Sequence, residues 1–249
     1  MSDDFAGKVV LVTGSAQGIG SAIARAFPGA TVWVTDVEEE PVDALAREIG
    51  GRAARLDVTD EAGVAALVQR IVAEHGRIDV LVHCAGGVRG QVGRPIESVP
   101  EADWHAILAA NATGAFLIAK HVAPIMKRQG SGRIVTTSSG AGLRPSLTGI
   151  QAYAAAKHAL VGLTKQLAQE LGPHGITVNS VAPGFVRSNP ASERQWESYG
   201  AEGQKRLVDG IFMRRPGTPE DIAWAVRFFA SERSGWITGQ VLSVDGGRA

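Results

Sequence analysis

From residue 8 to residue 245 the chain alternates short β-branched runs with helix-length stretches, and this rhythm constrains the fold more than any other feature. The runs are KVVLVT (8–13), TVWVTD (31–36), RAARLDV (52–58), DVLVHC (79–84), RIVTTS (133–138), ITVNSVA (176–182) and QVLSVD (240–245). Several are apolar on both faces, as a parallel sheet covered by helices on each side requires. Between them lie alanine-rich amphipathic stretches such as EAGVAALVQRIVAEHG (61–76) and AAAKHALVGLTKQLAQELG (154–172). Alternation of this kind means βαβ units, so the expected fold class is α/β, a doubly wound parallel sheet. No linker, repeat or composition break divides residues 1–249, and one domain is expected. Residues 186–218 break the rhythm. They are polar and rich in Gly and Pro, and we read them as a long loop that forms a lid over the substrate.

Composition narrows the function classes. Lys+Arg and Asp+Glu both number 25, which argues against a nucleic-acid partner. The single cysteine, Cys84, cannot form an internal disulfide, as suits a reducing, cytoplasmic setting. The opening MSDDFAGKVV lacks the features of a signal peptide, and no apolar stretch approaches the ~20 residues that span a bilayer, so no membrane role is expected. His75, His105, His121, His158 and His174 show no ligand spacing, and no metal site is expected.

The first strand runs directly into TGSAQGIGSAIA (13–24). Gly14, Gly18 and Gly20 make a turn without side chains that opens a helix. A pyrophosphate can approach the backbone N–H groups there, so Gly14, Ser15, Gln17, Gly18, Ile19 and Gly20 are the expected cradle. Asp36 ends the second strand, where a carboxylate accepts ribose hydroxyls and repels a 2′-phosphate. With no basic neighbour, it favours NAD over NADP. Asp57 and Val58, at the end of the third run, are placed to border the adenine.

YAAAK (153–157) sets Tyr153 and Lys157 four residues apart, on one face of a helix. A free phenol has a pKa near ~10, and a neighbouring cation would lower it enough for general acid–base work at an alcohol or ketone. Ser139 lies fourteen residues before Tyr153, and Asn111 interrupts the apolar stretch ILAANATGAF (107–116).

Together TGSAQGIG, the Asn111 segment, the Ser–Tyr–Lys order and APGFVRS (182–188) resemble the short-chain dehydrogenase/reductase family, over essentially the whole chain. The resemblance implies a Rossmann-type fold with a seven-stranded parallel sheet. It implies hydride transfer between a nicotinamide, here NAD, and a secondary alcohol or ketone. By the same resemblance Ser139 (alternatively Ser138) would bond the substrate oxygen, and Tyr153 would transfer the proton. Lys157 would tune Tyr153 and hold the nicotinamide ribose, and Asn111 would hold a relay water. Ala85, Gly86, Pro183, Gly184, Val186 and Ser188 would flank the cofactor. A homotetramer or homodimer is implied, built on 154–172 and 236–247.

LVHCAGG (81–87) departs from the family's usual Asn-Asn-Ala-Gly: His83 and Cys84 replace the asparagines. Strand neighbours point to opposite faces, so the two cannot readily pair, and we read the substitution as a local repacking rather than a thiol centre.

Arg89, Arg94, Arg144, Arg187 and Arg194 follow the fourth, fifth and sixth strands, at the ligand end of such a sheet. Arginine suits carboxylates, which suggests a small polar or anionic hydroxy/oxo substrate such as a sugar acid, covered by Trp196 and Tyr199. A 3-oxoacyl thioester reductase is the alternative within the family. A non-catalytic nicotinamide-binding sensor or scaffold is the alternative from another class.

Overall fold

The computed structural model describes residues 5–247, and the acidic first four residues of the opening segment lie outside them. Seven strands form one parallel sheet: β1 Val9–Thr13, β2 Thr31–Asp36, β3 Arg52–Arg55, β4 Val80–His83, β5 Gly132–Thr137, β6 Ile176–Pro183 and β7 Val241–Val244. Their order is β3-β2-β1-β4-β5-β6-β7, so the sheet winds outward in both directions from the β1–β4 pair. Ligand sites in such sheets open at this reversal, beyond the carboxyl ends of the strands.

Nine α-helices are present among the described residues: α1 Gly18–Arg25, α2 Glu39–Ile49, α3 Glu61–His75, α4 Glu101–Leu108, α5 Gly114–Gln129, α6 Gln151–Leu171, α7 Pro190–Ser198, α8 Gly200–Asp209 and α9 Pro219–Ala230. The central strands are buried on both faces because helices cover both. One core layer joins Val10, Val12 and Val34 to Ile23 of α1 and Val226 of α9. The other joins Leu11, Leu81 and Ile134 to Ile71 of α3, Ile118 of α5 and Leu171 of α6. Alternate residues of the same strands feed opposite layers, as the period of two demands.

Three expectations need correction. The third strand stops at Arg55, and Leu56–Val58 turn into the mouth of the sheet. Residues 186–218 are not a long loop, since they carry α7 and α8. Asn189 caps α7 by accepting from the Ser192 N–H, and Pro190 occupies the first helical turn, where its missing N–H costs nothing. Finally, α4 and α5 are joined through Ala109–Thr113 into one helical run, Glu101–Gln129, which by length and hydropathy (1.4) matches a bilayer span. More than half of its apolar window (56%) is buried inside the domain, the signature of a core helix.

Candidate active site

At the carboxyl ends of the strands lies an open cleft of about 1020 Å³ that runs from Asp36 past Ser139 and Tyr153 to Tyr199. Its floor is glycine for a geometric reason. A Cβ on Gly14 would lie 2.5 Å from the Ala85 Cα, and one on Gly20 would lie 1.9 Å from the Gly14 oxygen. No side chain fits there, so backbone N–H groups at the start of α1 face the cleft bare, which suits a pyrophosphate.

Of the expected cradle, Gly14, Gln17, Ile19 and Gly20 line the cleft. Ser15 does not. It is fully buried, and both its N–H and its hydroxyl donate to the Thr35 oxygen, at 3.1 and 3.2 Å. Gly18 turns instead toward the loop after β6, where a Cβ would meet the Ser188 oxygen at 2.7 Å. Asp36 lines the cleft while its carboxylate accepts from the Ala16 N–H (3.1 Å) and the Val37 N–H (2.8 Å). It therefore fixes the glycine turn as well as facing a ligand. Asp57 and Val58 border the same end, with Thr59 bonds holding the Asp57 carboxyl below its usual range. Ala85, Gly86, Pro183, Gly184, Val186 and Ser188 line the remainder of the cleft.

At the inner end Tyr153 and Lys157 project from the first turns of α6 beside Ser139. The two serines separate cleanly. Ser138 is buried and donates to the Lys157 carbonyl (3.1 Å), so it ties β5 to α6. Ser139 faces the phenol and favours its ionised form. Lys157 is 4% exposed, its ammonium donating to the Thr137 oxygen at 2.9 Å and lying 5.6 Å from the Tyr153 ring centroid. Burial pulls the Lys157 pKa down to about 8 and pushes the Tyr153 phenol up. The expectation that the neighbouring cation lowers the phenol pKa is thus reversed: desolvation outweighs the help of Ser139.

Asn111 is fully buried in a π-turn, Ala109–Thr113, inside the α4–α5 run. Its Nδ2 donates to the Gly87 and Ile107 oxygens (both 2.8 Å), and its Oδ1 accepts from the Gly87 N–H (2.9 Å). With both amide protons committed, the side chain clamps the Gly86–Gly87 backbone rather than reaching the cleft.

The arginines sort by partner. Arg144 pairs with Asp245 (3.1 Å), Arg94 with Asp103 (3.5 Å), and Arg187 with Glu193 (2.7 Å). Arg187 also stacks on Trp196, and neither of these two lines the cleft, which removes both from the expected substrate set. Arg89 and Arg194 line it without an ion pair among the described residues, Arg89 lying toward Asp57. Helix α7 offers Ala191, Arg194, Gln195 and Ser198 as its cleft face, at helical spacing. Tyr199 follows them into the cleft, and Phe185, Val92 and Leu147 supply an apolar rim that the sequence did not single out. Cys84 also lines the cleft, beside Lys157 and Tyr153, with burial pushing its thiol up and away from the reactive thiolate.

A family profile described as enoyl-(acyl carrier protein) reductase matches residues 14–249. A solved structure described as a short-chain type dehydrogenase/reductase from Mycobacterium ulcerans superposes with a TM-score of 0.91 at 32% identity, covering 98% of this chain and 90% of that one. The chain belongs to the short-chain dehydrogenase/reductase family. Among its curated relatives, a cyclohexanol dehydrogenase from Rhodococcus sp. (strain TK6) is 42% identical over 64% of this chain and 59% of its own length. The 3-oxoacyl-[acyl-carrier-protein] reductase FabG of Thermotoga maritima is 38% identical over 68% of this chain and 65% of its own. The chain spans less than two thirds of the length of these curated relatives. Within the family, its Rossmann-type sheet of seven parallel strands carries Ser139, Tyr153 and Lys157 at one end of a glycine-floored cleft.

Proposed function

We propose that this protein is a nicotinamide-dependent oxidoreductase that interconverts a secondary alcohol and a ketone. The observation that carries this reading is the placement of Tyr153, Lys157 and Ser139 at the inner end of a cleft whose glycine floor admits a dinucleotide. When bound, the nicotinamide would accept or donate the hydride. Ser139 would hydrogen-bond the substrate oxygen, and Tyr153 would take the hydroxyl proton in oxidation or give it in reduction. Lys157 would hold the nicotinamide ribose and lend positive charge to the phenolate, offsetting the burial that now holds the phenol up. The carboxylate of Asp36 in the cleft supports NAD over NADP.

For the substrate we favour a small polar or anionic hydroxy/oxo compound, such as a sugar or sugar acid, with Arg194, which has no ion pair among the described residues, as a cation to bind it. The 3-oxoacyl thioester reading draws support from the FabG relative and from the apolar rim of Val92, Leu147 and Phe185. A cytoplasmic homo-oligomer completes the proposal, supported by the exposure of Trp224, Trp236 and Leu242 on and near α9 and β7.

Turnover of NAD and NADP across alcohols, sugars, sugar acids, hydroxy acids and 3-oxoacyl thioesters tests the reading. Tyr153→Phe should lose at least about a hundredfold in kcat, the scale of general acid–base catalysis, while still binding NADH. A protein of the sensor or scaffold class would show no turnover on any of these substrates and would keep NADH binding in that variant. Arg194→Ala should raise KM for acids about tenfold and leave neutral substrates alone, a charged hydrogen bond being worth roughly 1.5–3 kcal/mol. Equal effects on both would remove the anionic substrate.

A further inference from the structure

The floor of the cleft is supported from beneath by a residue that the usual family pattern does not supply. Thr13 and His83 are register partners on adjacent parallel strands, so their side chains share one face of the sheet. The Thr13 hydroxyl lies 3.0 Å from His83 Nδ1, and the same oxygen accepts from the Ala85 N–H at 3.3 Å. We propose that His83 is a positioning residue for the dinucleotide, locking the Thr13 hydroxyl so that it holds the Ala85–Gly86 floor in place. This rests on the dinucleotide reading given above.

A hydroxyl has one proton and two lone pairs. With the Ala85 N–H on one lone pair and no partner but Nδ1 left for the hydroxyl proton among the described residues, the hydroxyl donates to Nδ1, which makes His83 the tautomer that carries its proton on Nε2. A one-way chain results, from Ala85 N–H through Thr13 O–H to His83, in a place where water is excluded and such chains reinforce themselves. His83 is 1% exposed, and burial together with the Lys157 charge holds its pKa near about 3, so the ring stays a neutral acceptor.

Two further observations support positioning over simple filling. His83 Nε2 is buried with no hydrogen-bond partner among the described residues. A ring retained for its bulk alone would more cheaply be apolar. The floor also has no slack: Gly14 lies against Ala85, and a Cβ on Gly86 would come within 2.5 Å of Asn111 Oδ1. A small drop of Ala85 therefore displaces the backbone that a dinucleotide must touch.

The test is direct titration of NADH into wild-type, His83→Phe, Thr13→Val, the double variant and His83→Asn, with Tm recorded for each. His83→Phe and Thr13→Val should each weaken NADH binding about tenfold, the loss expected for one buried hydrogen bond. The double variant should be no worse than either single, because both break one chain. His83→Asn, which restores an acceptor, should recover most of the affinity, and in turnover the loss should fall on KM for the cofactor more than on kcat. A lower Tm with unchanged NADH affinity, or additive losses in the double variant, overturns the proposal. A wild-type protein that binds neither NADH nor NADPH overturns the dinucleotide reading itself, and this inference with it. If His83→Phe fails to fold, the ring ¹⁵N spectrum of the wild type decides, since a proton on Nδ1 contradicts the chain.

Discussion

Lys157 carries its ammonium where almost no water reaches, and its proton is accordingly loose. Its pKa falls from an ordinary 10.5 to about 8 because burial penalises the charged form. In the unfolded chain the same group holds its proton up to its ordinary value. Between these two pH values the unfolded state binds more protons, so stability rises with pH across that window, and below it the whole cost is present. Unfolding at pH 7.5 and at pH 10, compared between wild type and Lys157→Met, should show a gap that closes by about 2 kcal/mol at the higher pH. A gap independent of pH would place the ammonium in contact with water. Tyr153 carries the complementary shift, upward through burial, so both partners lean toward their neutral forms. The four-residue spacing of the pair was legible in the sequence. The reversed direction of the Tyr153 shift was not, because spacing reports neighbours and is silent about solvent.

At the scale of elements, the strand runs and the glycine turn could be read because both are local: β-branched alternation and a turn without side chains obey short-range rules. Helix α7 was hidden by Gly, Pro and charge, yet its Asn189-Pro190 start followed by Ser192 is a legible capping signal that composition overshadowed. The π-turn around Asn111 could not be seen, since one extra residue in a turn leaves no periodic trace over so short a span. The structure explains the lone asparagine in that apolar run: its amide reaches across to clamp Gly87. Removing the α7 cap by Asn189→Ala should cost about 1 kcal/mol of local helix stability. Hydrogen exchange should show faster opening confined to residues 190–198, and substrate KM should rise while NADH affinity holds. Protection unchanged in α7 would mean that packing on Phe185, rather than the cap, holds the helix.

Across the whole molecule ion pairs decide which arginines stay available, and one of those pairs joins residues far apart in the chain. Arg144 meets Asp245 across 101 positions, a distance at which no sequence pattern signals contact. Asp245 also accepts from the Gly247 N–H, and the Gly246 and Gly247 oxygens accept from the Met213 and Phe212 N–H groups just after α8. Asp245→Ala should therefore act in two opposite ways. Stability should fall by about 1–2 kcal/mol, discounted for the partial exposure of Arg144, while KM for acidic substrates drops as Arg144 becomes free. Thermal unfolding and initial rates on the same preparation check both, and a KM that rises instead would give the pair a direct part in shaping the cleft.

The reversal of strand order at β1 and β4 has a consequence for how the molecule holds together. Among the described residues, the strands before Gly76 build one wing of the sheet and those after it build the other, with the seam along the β1–β4 ladder, α1 against α9 and α3 against α5. The cleft lies across that seam, with Gly14 and Asp36 on one bank and Ala85, Tyr153 and Ser188 on the other. A molecule lying in it would act as a rivet between two half-proteins, so that ligand occupancy and the joining of the wings become a single equilibrium.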